Sequence, residues 1–276
     1  MAGHLLQLYP DFAPERPVKG LYLGHRLHEL GGTGRPFVYG NFVSSLDGRI
    51  ALRPPGGGPG FLPQELVSAS DLRLLLELHA QADCLITNGA YLRAVAEGRL
   101  DDILQVGTIS GHEDLADWRE AQGLSRQPAI CIASASLEFP FPDSVRRHGQ
   151  RAFVATGTAA DGARVRRLES EGHEVVVAGS GRNVEGRALV EALARRGLKS
   201  AFLLAGPMML ETMLRGGALS RLYVTITHQL LGGEAFHSLI DGPEMGAAGR
   251  LKLRSLYLDR SSPDGGGQFF AQFEPW

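Results

Sequence analysis

Cysteine is scarce in this chain: 276 residues carry only Cys84 and Cys131. Each lies inside an apolar stretch (DCLIT and AICIA), which excludes a disulfide scaffold and a cysteine-built zinc site. They read as small buried hydrophobes. Long hydrophobic runs are missing too; no segment approaches the roughly 18–20 apolar residues of a membrane span. The N-terminus lacks the basic region and long apolar core of a secretory signal, so a cytoplasmic protein is expected. Nor is there an excess of either charge. Lys and Arg number 28 against 30 Asp and Glu, a net charge of −2, so nothing draws the chain to nucleic acid or an anionic membrane. Of the histidines only His25 and His28 share a helical spacing, and neither a carboxylate nor a third ligand accompanies them. No metal centre is expected.

What is present is an ordinary globular composition, 43% hydrophobic and 21% charged, in a chain long enough to bury a substantial core. Residues 1–34, with Pro10, Pro14 and Pro17, read as an N-terminal arm with at most one short helix. Residues 35–276 read as a single domain. Ser68 followed by Asp71 is a capping-box start for a helix whose apolar face is Leu72, Leu75, Leu76 and His79 or Ala80. Arg53–Gly60 is a Pro- and Gly-rich loop, either a flap over a site or a solvated connector. From Ala82 short apolar runs alternate with helical patterns: 84–87, 129–133, 152–155, 175–178, 201–205 and 222–227. That rhythm predicts an α/β fold with a mostly parallel central sheet flanked by helices. Leu251–Leu258 and Gly267–Phe273, around a Gly-rich turn, predict a C-terminal antiparallel edge hairpin.

The chemistry-bearing stretch is Arg35–Ala51, RPFVYGNFVSSLDGRIA. An apolar run turns polar at Ser44-Ser45-Leu46-Asp47-Gly48-Arg49, where open α/β sheets place their ligands. Asp-Gly between apolar runs is equally a hairpin signal. Three later junctions lead from a strand into a helix. Asn88-Gly89-Ala90 is the first. Gly179-Ser180-Gly181 is the second; it lacks the third glycine of a dinucleotide fingerprint and is also explained as a simple turn. Ala205-Gly206-Pro207-Met208 is the third, with Pro at the first helical position and free N–H groups for a phosphate. Met208, Met209 and Met213 read as core.

Asn41 followed by Ser45-Leu46-Asp47-Gly48-Arg49-Ile50-Ala51 resembles the signature of the reductase domain of riboflavin-biosynthesis deaminase-reductases. Leu8-Tyr9-Pro10 and the Gly232-Gly233 landmark after a strand add to the likeness, which covers roughly residues 35–273. The resemblance implies a dihydrofolate-reductase-like fold and an NADPH-dependent reductase acting on a pyrimidine- or pterin-like substrate, normally as a homodimer. It implies a catalytic Asp47, with Asn41 and Ser45 hydrogen-bonding substrate and Arg49 neutralising a substrate phosphate. It places NADPH along Asn88, Gly89, Ala90, Thr156, Gly157, Arg164, Gly179, Gly181, Ala205, Gly206, Pro207 and Met208, with Arg164, Arg166 or Arg167 toward the 2′-phosphate. The family's Asp-Pro loop is replaced by residues 93–99, and Thr87, Ala90, Ala205 and Pro207 depart from its glycine-rich pattern. Those departures keep two rivals open: a reductase of another pyrimidine, pterin or secondary metabolite, and a non-catalytic ligand-binding relative. A deaminase half is excluded, because its zinc site needs an H-x-E and a P-C-x-x-C pattern, and the two cysteines here stand 47 positions apart.

Overall fold

Short strands of three to nine residues alternate with helices along the chain, and Ser68, Asn88 and Asp161 cap the helices that follow them. The computed structural model describes residues 3–32, 34–53, 60–260 and 266–276. Among them are strands β1 (His4–Tyr9), β2 (Ala13–Pro17), β3 (Phe37–Ser44), β4 (Arg49–Leu52), β5 (Cys84–Asn88), β6 (Ala129–Ala133) and β7 (Ala152–Thr156). Then come β8 (Glu174–Val177), β9 (Ser200–Leu203), β10 (Arg221–Thr227), β11 (Phe236–Ser238), β12 (Leu251–Asp259) and β13 (Gln268–Pro275). The helices are α1 (Leu27–Leu30), α2 (Ala69–His79), α3 (Gly89–Ala96), α4 (Asp114–Ala121), α5 (Asp143–Arg147), α6 (Gly162–Ser170), α7 (Gly186–Ala194) and α8 (Pro207–Arg215). None is long and apolar enough to cross a membrane.

The chain forms two compact units, each assembled from separate stretches. The first contains residues 1–25, 39–77 and 206–276. Its strands follow the order β2-β1-β12-β13-β10-β3. Only β10 and β3 run parallel, with Tyr223 beside Asn41 and Thr225 beside Val43. The C-terminal hairpin β12–β13 is antiparallel as expected. Beyond it lies a pair that the sequence did not indicate: the N-terminal arm supplies β1 and β2. Pro14 and Pro17 obscured β2, yet they are tolerated because β2 ends the strand order and has one ladder partner. The turn expected after β12 begins in 261–265, outside the described residues.

Helix α2 starts as the sequence predicts, with Asp71 N–H donating to Ser68 Oγ at 3.0 Å. Its burial pattern is different. Leu72 and Leu75 are half-buried, while Asp71, Arg73 and Glu77 are buried. Apolar periodicity fails here because the helix answers polar groups. Ser68 Oγ accepts from Gln268 of β13, and Asp71 accepts from Thr225 Oγ1 of β10, each at 2.5 Å. Glu77 accepts the backbone N–H groups of Gly20, Tyr22 and Leu23.

In the second unit (residues 26–38 and 78–205) the order β9-β5-β6-β7-β8 is parallel throughout. The runs from 129 to 205 belong to this sheet, whereas the last run of that rhythm, 222–227, is β10 of the first unit. Cys84 and Cys131 are fully buried in β5 and β6, and burial pushes both thiols up, that of Cys131 to about 12. Arg119 is nearly as deep, at 1% exposure, and donates to the carbonyls of Ala80, Ala82 and Ser125. His79 is fully buried on the Phe202 ring with neither ring nitrogen hydrogen-bonded, and burial lowers it to about 3, so it is neutral.

Candidate active site

In the first unit, β3 delivers the Ser-Ser-Leu-Asp-Gly-Arg stretch at its C-terminal end. The hairpin expectation is not met. After the turn, in which Gly48 is left-handed at φ +82, β4 leaves β3 and pairs antiparallel with β11 as a separate two-stranded sheet. The reason is that the turn's polar side chains bind one another and the loop after β10. Ser45 Oγ donates to Asp47 Oδ1 at 2.5 Å and accepts from Arg49 N–H at 3.0 Å. Asp47 also accepts Leu231 N–H at 3.2 Å and Gly232 N–H at 2.9 Å, and forms an ion pair with Arg49. The Ser45 hydroxyl, then the Gly232 N–H, hold the Asp47 carboxyl down to about 2.

Arg49 is thereby neutralised by Asp47, and its guanidinium lies 4.3 Å over the Phe236 ring of β11. Its role in neutralising a substrate phosphate would require competition with Asp47. Ser45 is 1% exposed, so its hydroxyl serves the turn. Asn41, half-buried on β3 beside Tyr223, is the polar side chain of this set outside that knot. The Arg53–Gly60 loop falls almost entirely in 54–59, outside the described residues. At the start of α8, Gly206 is the N-cap with open space where a Cβ would stand, and Pro207 occupies the first turn. Met208 is 71% exposed and not core, because the first turn points it outward, whereas Met213 is buried.

The second unit collects the remaining positions at the C-terminal ends of its parallel strands. Asn88 is committed to structure: its Oδ1 caps α3 by accepting Tyr91 N–H at 2.9 Å. Gly89 is buried where a Cβ would crowd Phe139 and Ser134 Oγ, and Ala90 is exposed. Gly157 has no room for a Cβ because the Gly181 carbonyl fills that place, and Gly179 is similarly closed by Asn183 O. These glycines pack the loops after β7 and β8 against each other; Thr158 N–H donates to Gly179 O at 2.9 Å. The simple-turn reading of Gly179–Gly181 fits this geometry. Arg164 is occupied too, bonded to Ser136 O at 2.9 Å and Glu138 at 2.6 Å, while Arg166 is exposed. Ala205 is half-buried at the end of this unit.

Two buried hydroxyls stand out. Thr87 Oγ1 at the end of β5 and Thr156 Oγ1 at the end of β7 have no hydrogen-bond partner among the described residues. The strand register puts both on one face with Ser134, whose Oγ accepts Leu137 N–H at 3.0 Å. An orphaned buried hydroxyl costs about 1–3 kcal/mol, so two on the strands that flank β6, on one face of the sheet, suit a polar ligand group. Thr87 looked like a mere departure from a glycine pattern, and Ser134 gave no signal because its neighbours Thr87 and Thr156 are distant in sequence.

The family described as the RibD C-terminal domain matches residues 36–264. A 2,5-diamino-6-ribosylamino-4(3H)-pyrimidinone 5′-phosphate reductase of Archaeoglobus fulgidus is 24% identical over 208 residues, 75% of this chain and 87% of that protein. Among solved structures, a pyrimidine reductase-like protein of Corynebacterium diphtheriae superimposes with a TM-score of 0.63 at 22% identity, covering 87% of this chain and 91% of the other. The riboflavin biosynthesis reductase of Saccharomyces cerevisiae gives 0.55 at 13% identity, over 92% and 98%. These structures share the fold.

Proposed function

Because the chain belongs to the RibD C-terminal domain family, we propose that it is a riboflavin-biosynthesis reductase, resembling 5-amino-6-(5-phosphoribosylamino)uracil reductase, that uses NADPH. One observation carries the reading: the match spans residues 36–264, which takes in the Asp47 motif and every parallel strand end described above. The strand-end motif around Asp47 organises the substrate side, with the half-buried Asn41 amide available to the substrate's polar edge. In the second unit the orphaned Thr87 and Thr156 hydroxyls, with Asn88, Gly89, Ala90, Gly157, Gly179, Gly181 and Ala205, fit a cofactor lying along the strand ends. In the first unit the open α8 N-terminus at Gly206-Pro207-Met208 suits a phosphate. When bound, a reduced nicotinamide supplies the hydride; this chain's groups bind, orient and exclude water. The Arg164–Arg167 stretch offers positive charge for a 2′-phosphate, and Arg164 would have to exchange Glu138 for it.

Titration of the purified protein with NADPH and NADH, read by nicotinamide fluorescence, tests the proposal. NADPH is expected to bind at least about tenfold more tightly than NADH, a difference of about 1.4 kcal/mol. A subsequent screen should find turnover of a phosphoribosylamino-pyrimidine. Failure to bind either nucleotide would rule the reductase reading out.

The protein acts as a homodimer in this reading. On β10, β12 and β13 the covered face carries Thr225, Thr227, Gln268, Gln272, Ser255 and Asp259, all buried. On the opposite, apolar face Ile226, Phe269 and Leu258 in one row and Phe273 beside Leu253 are half-buried, while Val224 and Ala271 between them are buried. A half-buried apolar row of this kind supports a dimer interface there. Light scattering should give twice the 29.7 kDa of one chain; the mass of a single chain at micromolar concentration would contradict it.

A further inference from the structure

We infer that Asp47 is a positioning residue: its carboxylate anchors the backbone at Leu231–Gly232 and the Arg49 side chain, and does not itself touch substrate. The inference deepens the reductase reading and rests on it for the word "substrate". The geometry of Asp47 stands apart from that reading.

A carboxylate has about four acceptor directions, and here all four are taken. Oδ1 receives Ser45 Oγ and Leu231 N–H; Oδ2 receives Gly232 N–H and the Arg49 guanidinium. No direction is left for a ligand. The carboxyl is also held at about 2, so at neutral pH it has no proton to give. Two successive N–H groups converging on one anion form a backbone nest, and Gly232 (φ +63) and Gly233 (φ +91) supply the left-handed backbone of this loop. Asp47 is thus the anion of the nest.

The anchoring extends in two directions. Leu46 N–H donates to Gln229 O at 2.7 Å, so the motif holds the 229–232 loop at both ends. Arg49, fixed by Asp47, stacks on Phe236 and opens β4, whose partner is β11. Removing the carboxylate therefore frees the loop after β10, Arg49 and the start of the small β4–β11 sheet together. Catalytic loss follows from displacement of the strand-end site, not from loss of a proton carrier.

Amide hydrogen exchange by NMR on the free protein tests the anchor, and steady-state kinetics test its consequence. In Asp47→Ala the Leu231 and Gly232 amides should exchange about tenfold or more faster, with a smaller gain in the near-isosteric Asp47→Asn. NADPH affinity should stay within about twofold of the parent in both. The pyrimidine kcat/KM should fall in the same order as exchange rises, and the shape of its pH profile between pH 5 and 8 should not change. Arg49→Met should loosen Phe236 while leaving Leu231 and Gly232 protected. Asp47→Asn with unchanged protection at those amides but lost turnover or a lost limb of the profile would overturn the inference and return Asp47 to substrate. If the parent protein reduces no pyrimidine, the reductase reading falls, and the exchange rates alone still decide whether Asp47 anchors the loop.

Discussion

Replacing Glu77 by Gln should destabilise the first unit by about 3–5 kcal/mol, the usual range for breaking a buried charge pair. Glu77 is fully buried. Its Oε1 accepts Gly20 N–H at 2.5 Å and Arg73 Nε at 2.9 Å, and its Oε2 accepts Tyr22 N–H at 2.9 Å and Leu23 N–H at 3.3 Å. In glutamine one of those oxygens becomes an NH2. Whichever way the amide turns, it faces donors with a donor and strands two of them in the interior. The change should appear in urea unfolding as a midpoint lower by about 1 M or more at unchanged slope. A loss below about 1 kcal/mol would mean that water reaches the 20–23 backbone and replaces the carboxylate.

The second large effect has the opposite sign and lies on the same helix. Asp71 is buried, but its carboxyl is served by Thr225 Oγ1 alone among the described residues, and burial pushes it up to about 6 despite that bond. A carboxyl raised in the folded state contributes stability that is complete below the unfolded value near 3.8. That stability is lost as pH climbs to about 6, because the unfolded chain gives up its proton first. Above pH 6 the deficit is constant, about 3 kcal/mol for a shift of this size. Asp71→Asn keeps an acceptor for Thr225 and carries no charge. It should be more stable than the parent by up to about 3 kcal/mol at pH 7 and equal to it near pH 4. Urea midpoints of both proteins measured from pH 4 to 8 decide this; a gain independent of pH would show that the ionised carboxyl is not its source.

The two carboxylates, six residues apart on α2, show what a sequence withholds. Both look alike as acids on an amphipathic helix, and the apolar face read from Leu72, Leu75 and Leu76 treats them as the solvated side. What separates them is the number of N–H groups that arrive from elsewhere. Besides Arg73 on the same helix, Glu77 receives the N–H groups of Gly20, Tyr22 and Leu23, which come from a proline-containing arm that reads as at most partly ordered, whereas Asp71 receives the Thr225 hydroxyl and no backbone N–H among the described residues.

The sequence by itself determined the parallel strands of the second unit, the antiparallel C-terminal hairpin, the Ser68-capped start of α2, the Gly206-Pro207 start of α8 and the buried character of both cysteines. These are local properties: apolar runs, capping side chains and Pro or Gly at defined positions act within a few residues. It also exposed the Asn41–Ala51 motif through which the family resemblance is visible. Only the tertiary structure decided that β4 abandons β3 for β11, that the Ser136 carbonyl holds Arg164, that Gly157 makes room for the Gly181 carbonyl, and that Asp47 is filled by the backbone of Leu231 and Gly232. Each of these depends on backbone N–H or C=O groups, which every residue carries and no sequence pattern marks. They meet across as many as 185 positions of chain, so their partners follow from the packing of whole strands and not from any local preference.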